Sequence, residues 1–254
     1  MNASVPPALA VHGLGLQIGG ATILKDVDLT VPTGSMVGVI GPNGAGKTTL
    51  FNVVSGVMKP TAGRIELGGD DIIGLSVPRR ARAGLGRTFQ TSSLFPKLTV
   101  LENVRLAAQA TRGGGYSLVR FPRRTDAATA LAVEKLVEVG LDHRLDDLAG
   151  DISHGDKRKL EIAVLLATDA AVVLLDEPMA GVASGDVPGL VEIIRRLHRE
   201  QGRTVLMVEH HMEVLLGLVD TVAVMHFGTI IAYDTPAKVM ADPTVQSAYL
   251  GTAA

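Results

Sequence analysis

Apolar and polar residues alternate near the start of the chain, and helical spacing follows further on. The alternation over Leu9–Leu16, and again over Ile23–Val31, predicts two strands that each bury one face. Three later runs are short and apolar, as in strands buried within a parallel sheet: Met36–Ile40, Val172–Leu175 and Thr204–Val208. We therefore expect an antiparallel piece at the N-terminal end and a parallel core.

Segments with helical spacing separate these apolar runs. The predicted helices cover 47–55, 99–110, 125–139, 153–168 and 187–200. Thr99 and Glu102 form a capping-box pattern at the start of one of them. Near the C-terminus, Val222–Met225 and Thr229–Ala232 predict a hairpin, and two short helices follow. This alternation of strand and helix predicts an α/β fold with a mainly parallel sheet.

The composition of the 254-residue chain narrows the class of protein. Apolar residues make up 46% and aromatic residues only 3%, so the core must be mainly aliphatic. A net charge of −2 provides no overall basic field for nucleic acid, and the absence of cysteine excludes a disulfide framework. We find no signal peptide, and the apolar runs are far shorter than the ~18–20 residues of a membrane helix. If the protein serves a membrane, we expect it to do so from the water side through a partner.

A glycine-rich loop after the strand Met36–Ile40 matches the pattern G-x-x-x-x-G-K-[ST]. Glycine lets backbone N–H groups turn inward around phosphates, and the helix that follows points its positive end at the same place. Lys47 can reach the β and γ phosphates, and the Thr48 hydroxyl can bind Mg²⁺. The predicted nucleotide-binding residues are Gly41, Pro42, Asn43, Gly44, Ala45, Gly46, Lys47, Thr48 and Thr49. By itself, this motif predicts an NTPase and no more.

Two carboxylates, Asp176 and Glu177, follow the apolar run Val172–Leu175. Ligands of parallel sheets bind beyond the carboxyl ends of the strands, so both acids belong beside the phosphate loop. Asp176 is placed to hold Mg²⁺ through water, which completes the metal site begun by Thr48. Glu177 is then the candidate general base that polarises the attacking water.

Four further motifs are similar to those of ABC ATPases. Arg87–Gln90 resembles the Q-loop, Ile152–Asp156 the LSGGQ signature, Asp176–Gly181 the Walker B end and D-loop, and Val208–His210 the switch-histidine segment. Together with the phosphate loop they stand in the order and spacing of that superfamily, so the resemblance covers nearly the whole chain.

The resemblance implies a P-loop NTPase fold of the ABC type. It predicts a mainly parallel core sheet, an N-terminal antiparallel β subdomain and a helical subdomain. A single ABC ATPase domain would then cover 8–251, with the core and the antiparallel strands in 8–90 and 169–251. The helical, signature-bearing subdomain would occupy 91–168.

Within that superfamily, the chain looks most like the ATPases of branched-chain amino acid importers. The segments that carry this resemblance are Gly84–Gln90, Lys97–Val104, Lys159–Asp169, Leu206–Val214 and Ala248–Gly251. ATPases of importers for urea and short amides have a similar signature and ending, so they remain an alternative for the cargo.

The resemblance also implies a mechanism in which two ATPase subunits, identical or different, face each other head to tail. Ser153 and the Gly155 backbone of one subunit would meet the γ-phosphate of ATP held by the other. Ser153 is also a predicted N-cap, which aims the signature helix at that phosphate. Gln90 would touch Mg²⁺ and water, and His210 would contact the γ-phosphate in the transition state.

The partners implied are a second ABC ATPase subunit, transmembrane permease subunits and, indirectly, an extracytoplasmic substrate-binding protein. No nucleic-acid partner is expected. The protein would lie peripherally on the cytoplasmic face of the cell membrane, with ATP and Mg²⁺ as its ligands.

Four positions depart from the superfamily pattern. Ile18 stands where an aromatic ring usually stacks on adenine, so an aliphatic face must substitute. His154 and Asp156 replace a glycine and a glutamine of the signature, and Ala183 replaces the usual aspartate of the D-loop. The basic run Lys157–Lys159 is either a counter-charge for Asp156 or a solvated helix face.

Two other functions stay open on the sequence alone. A non-transport ABC ATPase acting on nucleic acid or ribosomes usually carries tandem cassettes or basic arms, and this chain shows neither. A degenerate module that binds ATP without turnover is compatible with the altered signature and D-loop, but the intact Lys47, Asp176, Glu177 and His210 argue against it.

Overall fold

The computed structural model of the protein describes residues 6–88, 93–111 and 127–250. The chain divides into two compact units. The first unit contains Met1–Arg87, Ala171–Glu177 and Leu197–Ala254, and the second contains Thr88–Ala170 and Pro178–Arg196. Within the described residues, no helix is both long enough and apolar enough to cross a membrane.

The first unit is built on a six-stranded sheet with the order β10-β9-β3-β8-β7-β6. Its strands are β3 (Met36–Ile40), β6 (Leu85–Arg87), β7 (Val172–Asp176), β8 (Thr204–Val208), β9 (Thr221–His226) and β10 (Thr229–Asp234). All neighbouring pairs are parallel except the hairpin of β9 and β10. Strands β3, β7 and β8 are buried along their whole length, which confirms the prediction from their apolar runs.

A second sheet in the same unit is antiparallel and has the order β2-β1-β4-β5. Its strands are β1 (Leu9–Ile18), β2 (Ala21–Val31), β4 (Ala62–Leu67) and β5 (Asp70–Asp71). One hydrophobic cluster takes side chains from this sheet, from the parallel sheet and from the helix after the phosphate loop, with Phe51 fully buried. The predicted combination of a parallel core with an N-terminal antiparallel piece is thereby confirmed.

Helices complete both units. Those of the first unit are α1 (Lys47–Val54), α2 (Val77–Arg82), α7 (Met212–Leu216), α8 (Pro236–Ala241) and α9 (Pro243–Leu250). In the second unit, α3 (Val100–Thr111), α4 (Ala127–Glu138) and α5 (His154–Ala167) pack on one another, with a 3₁₀ turn at Asp142–Arg144. Helix α6 (Val187–Arg199) begins in the second unit and ends in the first.

The predicted caps form where the sequence places them. Thr99 Oγ1 accepts the Glu102 N–H at 3.1 Å, and Ser153 Oγ accepts the Asp156 N–H at 3.1 Å. Helix α2 and strand β6 had no counterpart in the sequence pattern, because each is too short for a hydrophobic period to repeat.

Candidate active site

The loop between β3 and α1 is held in shape by close backbone packing. At Gly41 a Cβ atom would lie 2.1 Å from the Met225 carbonyl oxygen in β9, so only glycine fits there. Gly46, with φ of 103°, is the N-cap of α1 and offers no side chain to the first N–H groups of the helix. The first turn of α1 also contains no acidic residue, which keeps its positive end available to an anion.

Lys47 lies buried inside this loop. Its Nζ donates hydrogen bonds to the carbonyl oxygens of Gly41 at 2.7 Å and Pro42 at 3.0 Å. Burial lowers the pKa of Lys47, and the negative charges of Glu177 and Asp176 partly offset that effect. The ammonium group is therefore within electrostatic reach of both carboxylates predicted for the site.

Asp176 ends β7 and is almost completely buried, with its side chain 1% exposed. Its Oδ2 accepts a hydrogen bond from Nη2 of Arg87 at 2.9 Å. Arg87 also donates to Ser55 Oγ at 2.7 Å and lies 5.8 Å from the centre of the Phe51 ring. Burial lowers the pKa of Arg87, and the bond to Asp176 works against that shift. Arg87 thus links the carboxylate to the end of helix α1.

The role of Arg87 was missed by the sequence analysis. Arg87 lies in the motif compared with the Q-loop, but the pattern gave no reason to pair it with an acid 89 residues away. The sequence contains no local signal for this pair, because β6 is too short to be recognised and the burial of Arg87 follows only from the fold.

Glu177 follows β7 directly and has a left-handed backbone, with φ of 50°. This conformation is uncommon outside glycine and marks local strain of the kind that collects at functional sites. The Glu177 N–H donates to the Val208 carbonyl at 2.9 Å, and its Oε1 lies 2.9 Å from Nε2 of His210. The structure therefore brings the candidate base and the predicted switch histidine into contact.

Glu209 supports this arrangement and was also missed. It is buried at the end of β8, and its Oε2 accepts the backbone N–H groups of His210 at 2.8 Å and His211 at 3.2 Å. These bonds fix the backbone that carries the half-exposed His210 side chain. The sequence pattern that could have indicated this role is an acid directly after an apolar strand and directly before two histidines.

Three further predicted residues lie in the first unit. Thr48 and Thr49 lie partly buried in the first turn of α1. Ile18 ends β1, pairs with Ala21 in the hairpin to β2 and is 50% exposed. Gln90 lies outside the described residues.

In the second unit, Ser153 caps α5 and Gly155 is buried in its first turn. The unusual Asp156 is balanced by two cations, since its carboxylate oxygens lie 3.3 Å from Arg144 Nε and 3.4 Å from Lys159 Nζ. Part of the basic run therefore does act as a counter-charge, together with Arg144, which the sequence did not single out.

Comparisons with known proteins identify the family of the chain. The family model described as "ABC transporter" matches residues 24–180, and the model for the "branched-chain amino acid ATP-binding cassette transporter" matches residues 229–254. The chain is 38% identical to the high-affinity branched-chain amino acid transport ATP-binding protein LivG of Salmonella typhimurium, over 97% of this chain and 99% of LivG. It is 37% identical to the protein of the same description, BraF, of Pseudomonas aeruginosa, over 97% of this chain and 99% of BraF.

A solved structure gives the same result. The ADP conformation of MJ1267, an ATP-binding cassette of an ABC transporter, matches with a TM-score of 0.84 and 30% identity. The match covers 96% of this chain and 99% of that one.

The buried pair of Arg87 and Asp176 generates a stability prediction. Arg87→Met removes the cation that is hydrogen-bonded to the buried Asp176 carboxylate, so we expect the free energy of unfolding to fall by about 3–5 kcal/mol. Adding Asp176→Asn removes that charge and should recover at least ~1 kcal/mol of the loss. Urea unfolding without nucleotide or Mg²⁺ measures both effects, with the exposed Arg79→Met as control. If Arg87→Met unfolds at the same urea concentration as Arg79→Met, the ion pair does not stabilise the fold.

Proposed function

The chain belongs to the family of ABC transporter ATP-binding subunits, and we propose that it hydrolyses ATP to drive the import of branched-chain amino acids. One observation carries the hydrolytic part of the proposal. Lys47, Asp176, Glu177 and His210 meet in the first unit, beyond the carboxyl ends of three parallel strands. The cargo rests on the match of residues 229–254 and on relatives described as branched-chain amino acid transport proteins.

We assign the loop Gly41–Gly46 and the start of α1 to the phosphates of ATP. Backbone N–H groups and the helix end supply donors, and Lys47 supplies a positive charge toward the β and γ phosphates. Lys47 is already buried beside two carboxylates, so little side-chain freedom is lost when it turns to a phosphate oxygen.

The oxygen groups at this place fit Mg²⁺, which prefers carboxylate, hydroxyl and phosphate oxygens. We assign the ion to Asp176 and the Thr48 hydroxyl, with Gln90 as a further predicted ligand. When bound, Mg²⁺ neutralises part of the charge on the phosphate oxygens. Arg87 holds the Asp176 carboxylate in a fixed orientation, because its Nη2 donates a hydrogen bond to Asp176 Oδ2 at 2.9 Å.

Glu177 acts in this scheme as general base for an attacking water. The water oxygen forms a bond to the γ-phosphorus, its proton moves to the Glu177 carboxylate, and the bond to the bridging oxygen breaks to release ADP. His210, 2.9 Å from Glu177 Oε1, lies where it can hold both the carboxylate and the γ-phosphate. The strained backbone of Glu177 is maintained because its N–H is bonded to β8.

The site is completed by a second ATPase subunit, identical or different. Ser153 and the Gly155 backbone lie at the N-terminal end of α5, a position suited to contact a γ-phosphate bound by the other subunit. ATP that bridges two subunits binds the closed pair better than the open pair, so binding closes the pair and hydrolysis lets it open. We propose that permease subunits convert this motion into transport and hold the protein at the cytoplasmic face of the membrane.

Glu177→Gln tests the base directly. The amide cannot take a proton from water, so we expect the rate of phosphate release to fall by about 10²–10⁴-fold while ATP still binds. Phosphate release and binding of a fluorescent ATP analogue are the two measurements, and Lys47→Ala, which should lose binding, is the control. A Glu177→Gln protein that hydrolyses ATP near the parent rate would remove Glu177 from the role of base.

Substitutions of Ser153 test the contact between subunits, because they can preserve the N-cap of α5 and change only the contact with the phosphate. Asp and Asn are both good N-caps, so Ser153→Asp and Ser153→Asn should leave α5 stable. Only aspartate brings a negative charge to the γ-phosphate, so we expect Ser153→Asp alone to abolish ATP-dependent pairing in the Glu177→Gln background. Light scattering measures pairing with the ATPase subunit that co-purifies with the chain, or with a second copy. Equal pairing of the two variants would contradict the head-to-tail arrangement.

Uptake by the intact complex tests the cargo. We expect proteoliposomes that hold the complex purified with this chain to take up leucine with ATP, in competition with isoleucine and valine but not with urea. The same complex with Lys47→Ala is the control for ATP dependence. Uptake of urea without uptake of leucine would replace the proposed cargo by the alternative named from the sequence.

A further inference from the structure

Phe227 is an exposed aromatic residue in a strained backbone conformation. It occupies the two-residue turn between β9 and β10, with φ of 43°, and Gly228 follows with φ of 78°. Paired residues His226 and Thr229 flank the turn. A turn with two positive φ angles of this kind favours Asn, Asp or Gly, and a bulky residue there is an outlier. Because the side chain is 80% exposed, burial in the chain itself does not compensate for the strain.

The turn lies directly against the phosphate loop. The Gly228 N–H donates to the carbonyl of Ala45 at 3.0 Å, and the Gly228 carbonyl accepts the N–H of Lys25 in β2 at 2.9 Å. At Gly228 a Cβ atom would lie 2.3 Å from the Ile23 carbonyl oxygen, so the turn is fixed by close backbone contact. Phe227 therefore precedes a residue that is bonded both to the loop that we assign to the phosphates and to β2.

The nucleotide base requires a flat apolar surface close to this place. Ile18, which pairs with Ala21 in the hairpin of β1 and β2, supplies only an aliphatic side chain that is 50% exposed. In the described part of the first unit, the exposed large aromatic side chains are Phe227 and Tyr233. The Tyr233 hydroxyl donates to the carbonyl of Thr30, near the far end of β2, whereas Phe227 adjoins the phosphate loop.

The neighbouring side chain steadies the Phe227 ring. The ring of His226 has its centre 4.3 Å from that of Phe227, at an interplanar angle of 56°. Such tilted contacts are favourable between rings, so one face of Phe227 is supported while most of its surface remains open.

We propose that Phe227 packs against the adenine base of the bound nucleotide and supplies the aromatic contact that Ile18 lacks. The inference rests on the proposed function, since it assigns the base to a surface beside the loop that holds the phosphates. It makes Phe227 a determinant of base selectivity, and it explains why a strained turn keeps an exposed aromatic side chain.

Phe227→Asn separates this role from a structural one, because the two effects have opposite signs. Asparagine suits the turn, so we expect the thermal unfolding midpoint of the nucleotide-free chain to rise by about 2–4 °C. Loss of the ring should weaken ATP binding about fivefold or more, the lower end of what base–aromatic stacking contributes. Binding of inorganic tripolyphosphate, which has no base, should not change. Calorimetric titration of the full chain with each compound, and thermal unfolding, give the three values.

Two further variants complete the test. Phe95→Asn removes another exposed phenylalanine, in the second unit, and should leave ATP binding unchanged. Ile18→Tyr added to Phe227→Asn restores an aromatic ring beside the base and should recover ATP affinity.

Three results would overturn the inference. If Phe227→Asn binds ATP as tightly as the parent, the ring does not contact the base. If that variant also fails to associate with the permease, the ring is a contact to the permease instead. Equal weakening of ATP and tripolyphosphate would mean that the turn only shapes the phosphate loop. If the parent chain binds neither compound, the proposed function fails as well, so the two failures are distinguishable.

Discussion

The register of three parallel strands is the constraint on which the site depends. Val39 of β3 and Asp176 of β7 both pair with Val208 of the strand between them, β8. The residues that follow these three positions must therefore emerge side by side at one edge of the sheet. They are the phosphate loop, Glu177 and the segment of Glu209 and His210. A slip of one residue in any of these strands would turn its side chains to the other face and separate the groups.

Charge is concentrated at this edge and balanced locally. Lys47 is within reach of two carboxylates, and one of these, Asp176, is also bound to Arg87 at 2.9 Å. Because a buried charge is costly without a partner, each ionic group limits where its neighbours can lie. The same logic applies in the second unit, where Arg144 and Lys159 balance Asp156 close to the capped end of α5. The departure from the signature pattern therefore has an electrostatic compensation.

In the described part of the first unit, the non-glycine residues with positive φ are Asp26, Glu177 and Phe227, and the last two lie beside the expected ligand. Glu177 and Phe227 both have positive φ angles, and neither residue type is favoured there. In both cases backbone bonds to an adjacent strand or loop maintain the conformation: Glu177 to β8, and Gly228 beside Phe227 to Ala45 and Lys25. The surrounding structure thus stabilises side-chain positions that the local chain would not adopt alone.

The sequence determined those features that depend on residues close together in the chain. The apolar runs predicted the buried strands, Ser153 predicted its cap, and the loop around Lys47 and the acids after β7 were recognisable because each motif is a few residues long. The ABC ATPase fold and family followed from their order, while the roles of single residues stay predictions. Tertiary structure alone decided that Arg87 meets Asp176, that Glu177 meets His210 and that Phe227 lies beside the phosphate loop. Those contacts join residues far apart along the chain, and spacing within a segment carries no information on which distant segments become neighbours.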